Sequence, residues 1–498
     1  MSVIIQKPKY TLIPAGQEHI IHSVYDVNVI GHVPPVHKIK YVARVYIAKK
    51  SAGILASTNL VAVLKVTPND VGHGIFDIAP IVSNYVSPEY EGGNVYSSGV
   101  GLVTFSEYKT IPFSEKAPHS IHLIDKFSAN RNSVIYCKIK FSVEYSVTTT
   151  SDVVELAQNV PSDDLIIFNG VLYDTDIYQA NTSTGSWGYD LSQENLFPTG
   201  VGGSTSNNSF LTNAPTTQYI RENDFATIAF FTELNASEIS NFSTADTVAG
   251  WGVQKAVRAV KISYYDADGT PSSSTITIDL DTSVGGHYGY IEDAFVKIQY
   301  FGVGTQNQRN SGAPPPAGWA YYEVYLIDDN ANRITEVYTF HKQTDSCKGY
   351  ETVRLTWLNK WGTWDYYNFT QKNIRNLRTT RKAYKQLSGT WNKSYFQLSG
   401  HVGGMKNYNS TIKESITLNT DYITEEEASW LEQLFISNDV YMLTDSPLSE
   451  ATTGTIRRYV QPVRITSEEM TRKTKANDKL IQYTFELETN RTKKSHKI

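Results

Sequence analysis

What most constrains this chain is a repeated texture. Short runs of Tyr, Val, Ile and Thr alternate apolar with polar residues and break at Gly, Pro or Asn, roughly every ten residues. Alternation at period two is a strand signature, because successive side chains point to opposite faces. Tyr stands out at 33 of 498 positions. It suits a half-buried pleated surface and equally a face that meets another protein. The texture predicts a mainly β scaffold.

Three domains follow from length and punctuation. Residues 1–150 carry the runs Val24–Ile30, Ile39–Ile47, Leu60–Val66 and Val134–Tyr145, the last long enough for a central strand. Lys40 and Arg44 fall opposite an apolar face of the second run. That spacing predicts an N-terminal β domain of sandwich or barrel type. A polar stretch at 146–163 marks a boundary, and Leu165–Tyr173 reads as a hairpin around Asn169-Gly170. Residues 151–348 then form a second β domain, with strands near 227–231, 259–265, 274–280, 294–301 and 319–327. Its loops at 180–217 and Gly304–Gly318 are too polar to enter a core.

From 349 to 498 the texture changes to a smaller α+β domain. Two aromatic strands flank the turn Lys360-Trp361-Gly362-Thr363, and a basic stretch follows at 372–385. A helix is predicted at 424–437. Thr424-Glu425-Glu426-Glu427 is a capping box with acids at the positive end of the dipole, and Ala428, Leu431, Leu434 and Phe435 share one face. Further strands are predicted at 440–443, 458–465 and 480–487.

Chemistry-bearing patterns are sparse. His19/His22 and His119/His122 are paired at i, i+3, which in a strand sends them to opposite faces, so no metal site is expected. Asp266-Ala267-Asp268-Gly269 has no Glu to close a calcium loop and reads as a hairpin turn. No nucleophile elbow, P-loop or dinucleotide fingerprint occurs, and no cofactor or enzymatic activity is expected. Net charge of −5 gives no global attraction to nucleic acid or anionic lipid. No run of apolar residues is long enough for a transmembrane helix, no secretory signal is read at the N-terminus, and two cysteines suggest a reducing compartment. Candidate interface or glycan contacts are Trp361, Tyr366, Arg378 and Arg381. Trp361, in the turn, is expected to be exposed, whereas Trp357 and Trp364 are expected to pack in a core.

Several patches carry a resemblance. They are Tyr10-Thr11-Leu12-Ile13-Pro14-Ala15-Gly16, Ile39-Lys40-Tyr41-Val42-Ala43-Arg44-Val45-Tyr46, Leu64-Lys65-Val66-Thr67-Pro68 and Gly74 through Val82. Together with the turn Leu355–Asp365 and the block from Trp430 through Tyr441 to Phe485, they resemble virion structural proteins of tailed bacteriophages. The resemblance is to those of phages infecting Bacteroidota, including crAss-like phages. It implies a non-enzymatic tail component, assembled in the host bacterial cytoplasm as a homo-oligomeric ring that links tail tube or neck to hub, baseplate and fibres. A receptor- or glycan-binding tail protein is the alternative expectation, and a tail-borne glycan hydrolase a third.

Overall fold

The computed structural model describes residues 2–8, 11–48, 53–88, 96–98, 101–103, 133–156, 160–171, 177–178, 188–189, 209–231, 259–279, 298–310, 314–327, 331–344, 350–398, 400–443, 460–470 and 481–489. The chain is mainly β, as its alternation predicts, and is divided among several sheets. It separates into two compact units. The first comprises Met1–Gln343, Leu358–Asp365 and Ser446–Arg457; the second comprises Thr344–Trp357, Tyr366–Asp445 and Arg458–Ile498.

In the first unit, a seven-stranded sheet has the order Leu12–Pro14, Leu165–Phe168, Val134–Ser146, His37–Ala48, Leu60–Val66, with Val154–Glu155 and Val160–Pro161 also paired to Val134–Ser146. A three-stranded sheet holds Ser2–Gln6, Ile21–Asp26 and Gly74–Asp77. Val24 and Phe76 of the small sheet share one buried cluster with Tyr41, Ile139, Phe141 and Ile167 of the large one. Burying such faces is what drives the two sheets together. Val134–Ser146 is indeed central, pairing Tyr41 to Val143 and Val45 to Ile139 on one side and Ile167 to Ile135 on the other.

Two local expectations for this region are corrected. The alternating run Val24–Ile30 does not stay extended. The strand ends at Asp26, whose carboxylate accepts from the backbone N–H groups of Asn28 and Val29 and starts a short helix, Val27–Ile30. An N-capping Asp outweighs the strand preference of the valines. Nor is Leu165–Phe168 the first arm of a hairpin that opens a new domain. It pairs parallel to Leu12–Pro14 and antiparallel to Val134–Ser146, so the first large sheet runs past the expected boundary at 150.

The same unit holds a five-stranded sheet in the order Thr217–Ile220, Tyr338–Lys342, Tyr321–Ile327, Ala259–Tyr265, Pro271–Asp279, and a pair formed by Thr227–Phe231 and Ile298–Gly302. Tyr322, Val324 and Leu326 alternate inward and are fully buried, with Tyr322 stacked on Phe340 at 5.1 Å. The Asp266–Gly269 segment is the hairpin turn that its residues predict. Asp266 Oδ1 accepts from the N–H groups of Asp268 and Thr270, and Gly269 adopts φ +77.

Gly304–Gly318 departs from the loop expectation. It contains a short helix, Thr305–Asn310, whose Thr305, Gln306, Asn307 and Gln308 are all buried. Polar side chains enter a core when every donor and acceptor is matched. Here Thr305 Oγ1 donates to Arg221 O, Asn307 Oδ1 accepts from Ala226 N, and Gln308 receives the Tyr264 hydroxyl while donating to Val303 O. The predicted loop at 180–217 lies mostly outside the described residues.

The second unit is organised on a seven-stranded sheet: Trp364–Phe369, Val353–Leu358, Val440–Leu443, Val460–Ile465, Thr484–Thr489, Gly404–Asn419, Ile374–Gln386. The predicted helix forms at Glu425–Ile436. Thr424 Oγ1 accepts from Glu427 N, and the Glu427 carboxylate accepts from Thr424 N, closing the capping box. Ala428, Leu431 and Leu434 are buried, and Trp430 packs on Trp357 at 5.2 Å and on Tyr367 at 5.9 Å.

Candidate functional site

The Lys360–Thr363 turn forms as expected, with Gly362 at φ +74, but the exposure expected of Trp361 is overturned. Only 1% of Trp361 is accessible. The reason is a set of hydrogen bonds that ties the turn down inside the first unit. Asn359 Oδ1 accepts from the N–H groups of Trp361 and Thr363, while its Nδ2 donates to Leu211 O and Asp365 Oδ1. Thr363 Oγ1 donates to Leu211 O, and the Trp361 indole N–H donates to Asn213 Oδ1 at 3.0 Å. The Lys360 ammonium lies 4.6 Å from the Trp361 ring centroid. Trp357 and Trp364 are buried, as their strand positions predict. Tyr366 is also buried, with the Arg354 guanidinium 5.1 Å from its ring, so neither Trp361 nor Tyr366 offers a face to a ligand.

Arg378 and Arg381 lie elsewhere, on an exposed two-stranded ribbon formed by Ile374–Gln386 and Gly404–Asn419. Thr484–Thr489 flanks the ribbon only along Ser415–Asn419. Residues 404–414 and their partners therefore overhang the sheet, by about 35 Å at ~3.4 Å per residue. Register sorts the overhang into two faces. Arg378 opposite Lys413, and Lys382 opposite Asn409, line one; Leu377 opposite Glu414, and Arg381 opposite Ser410, line the other. Both faces are open, and none of the residues from Arg378 to Lys385 is buried.

The charges are sorted along the ribbon's length. At the root, Arg375 pairs with Glu351 at 2.6 Å, and Glu488 accepts from Lys413 and Arg464, whose cations hold its carboxyl below the usual range. Farther out, Arg378, Arg381, Lys382 and Lys385 make no ion pair among the described residues. Residues 371–418 carry nine Lys and Arg against one Glu.

The ribbon ends in a knob, 387–403, that sequence reasoning passed over. Thr390 Oγ1 donates to Tyr395 O and accepts from Gln397 N, and the Trp391 indole N–H donates to Ser388 O. Gly389, at φ +82, packs so closely on the Phe396 ring that an added Cβ would stand 2.4 Å from it. These bonds hold an apolar surface open to solvent: Trp391 is 70% exposed and Leu398 77%, beside Leu387, Tyr395, Phe396 and Met405. Trp391 and Phe396 meet edge to face at 5.4 Å. The available signals were the run of cations and the Gly403-Gly404 turn. Apolar periodicity gave none, because a ribbon open on both faces has no buried side.

His19 and His22 diverge, as their spacing predicts. His19 Nδ1 meets Asp77 at 2.6 Å, while His22 is buried against Phe141 at 5.6 Å. His119 and His122 lie outside the described residues. Among those described, no group of three or more His, Cys, Asp or Glu is placed to hold a metal, and no helix is long and apolar enough to cross a membrane.

No protein-family model matches the chain, and no curated protein matches it.

Proposed function

We propose that this chain is a non-enzymatic structural component of a bacteriophage tail, assembled as a symmetric homo-oligomeric ring that links tail tube or neck to baseplate and fibres. The observation that carries the reading is the ribbon. A two-stranded arm with both faces in water has little to hold it in one shape, since an isolated hairpin is at best marginally stable. An exposed aromatic patch at its end is the mark of a surface made to be covered by another protein. An arm of this kind is at home in an assembly, where neighbouring subunits bury it. In this reading, the seven- and three-stranded sheets of the first unit form one sandwich-like body and the five-stranded sheet with its companion pair a second. The sheet with helix Glu425–Ile436 forms the smaller α+β domain.

Burial of Trp361 removes one part of the surface expected to read a glycan, the loops at 180–217 and 304–318 being the rest, and Tyr366 is likewise withdrawn from the four candidate interface or glycan contacts. Arg378 and Arg381 stay available, and the docking role takes them up. The test is location. Gold-labelled antibody against the full chain, applied to tailed particles from lysates containing it, is expected to mark one fixed point on the tail. Unlabelled tails, with all of the chain recovered free of particles, would overturn the assignment.

A further inference from the structure

We infer that the occupant of the ribbon's open faces is a second copy of this chain, the basic arm of one subunit lying on an acidic surface of the next. The inference rests on the ring reading above and adds which element joins the copies and by what force.

Charge selects the occupant. The whole chain has 45 Lys and Arg against 50 Asp and Glu; setting aside the nine cations and one acid of 371–418 leaves 36 against 49. The chain therefore divides into a strongly positive arm and a strongly negative remainder. Within the arm, Arg378 faces Lys413 directly across the strands, but Lys413 is held by Glu488 at 2.9 Å, so the charge left unmatched on that face is Arg378's. Root cations are neutralised by acids of their own unit, whereas the outer ones are not. An acidic surface brought by a neighbour supplies what the outer arm lacks. A second copy is always present at matching concentration.

The geometry fits the same occupant. Arm and receiving surface are different patches, so the contact is head to tail, the kind that closes into a ring when its rotation allows. Apolar anchoring comes from the knob, with Trp391 and Phe396 at its centre, while the charged strands steer the approach and set its register. Nucleic acid, the other acidic partner, is bound by grooves in which cations and stacking rings interleave. Here two rings, Tyr384 and Tyr408, lie among the strand cations, but they pack on each other edge to face at 6.2 Å rather than presenting a row of faces, and the larger exposed rings, Trp391, Tyr395 and Phe396, gather at the tip.

Photo-crosslinking of the full chain tests this. With Tyr395 replaced by p-benzoylphenylalanine, irradiation in low salt is expected to yield a species of twice the chain mass, its crosslink mapping to an acid-rich segment of the partner copy. The triple variant R378E/R381E/K382E is expected to reduce that yield at least tenfold. Trp391→Ser, which keeps the charge, is expected to weaken self-association by about thirtyfold, as loss of a tryptophan anchor does. A chain that remains monomeric at every concentration sinks the ring reading along with this one. A chain that assembles, but whose crosslinks stay within one copy and whose triple variant assembles equally well, overturns the arm alone. Retention of a DNA duplex by the native arm but not the triple variant, without self-crosslinking, would reassign the arm to nucleic acid.

Discussion

Acid should loosen the first unit at a single histidine. His22 is 1% exposed, packed near Phe141, and neither ring nitrogen has a hydrogen-bond partner. Desolvation, the dominant cause, lowers its pKa from 6.5 to about 4. The native imidazole is thus neutral at pH values where the unfolded chain already binds a proton. Stability is complete above about pH 6.5, falls as pH drops from there towards 4, and loses nothing more from this group below that. A gap of roughly 2.5 pKa units corresponds to about 3 kcal/mol. His19 has the opposite sign: its bond to Asp77 raises its pKa, a contribution present below 6.5 and lost as pH rises, but its side chain is nearly half exposed and the slope shallow. The clean comparison is therefore the native chain against His22→Leu, in which His19 and the carboxylates are unchanged. Urea titrations from pH 7.5 to 4, read by hydrogen–deuterium exchange of peptides within Val134–Ser146, should show the native chain losing about 3 kcal/mol more than the variant. Parallel pH profiles for the two proteins would refute the assignment.

Two further substitutions probe the frame. Gly362→Ala combines a left-handed backbone, φ +74, with a Cβ placed 1.7 Å from the Asn169 carbonyl oxygen; it should cost about 3 kcal/mol or more, read as earlier exchange of the Trp361 backbone amide in urea. Thr424→Ala removes one half of the capping box and should destabilise Glu425–Ile436 by about 1 kcal/mol, read by exchange across that helix, with peptides of the first unit unchanged.

Much of this frame is legible in the chain itself, for local reasons. Tyr322, Val324 and Leu326 alternate because one face of their strand is buried, and Thr424 with Glu427 announces a helix before its first turn. Elsewhere a side chain has most often found a partner far along the chain. Nothing near Gln306 or Asn307 foretells burial, since the matching groups include Ala226 and Asp224. Trp361 sits in a turn, where exposure is the ordinary outcome, and is buried because Asn213 and Leu211 meet that turn. Asp26 caps a helix within a run of valines, a local signal that β-branched neighbours mask. The arm shows the converse. Its cations were visible, but the knob at 387–403 was not, because alternation in a ribbon open on both faces marks no core.

Assembly into a closed ring is the property on which the proposed role depends. Negative-stain electron microscopy of the purified full chain at high concentration and low salt tests it most directly. Closed rings of one diameter are expected, dispersing as salt is raised and absent from R378E/R381E/K382E. Particles that remain single subunits under all these conditions would contradict it.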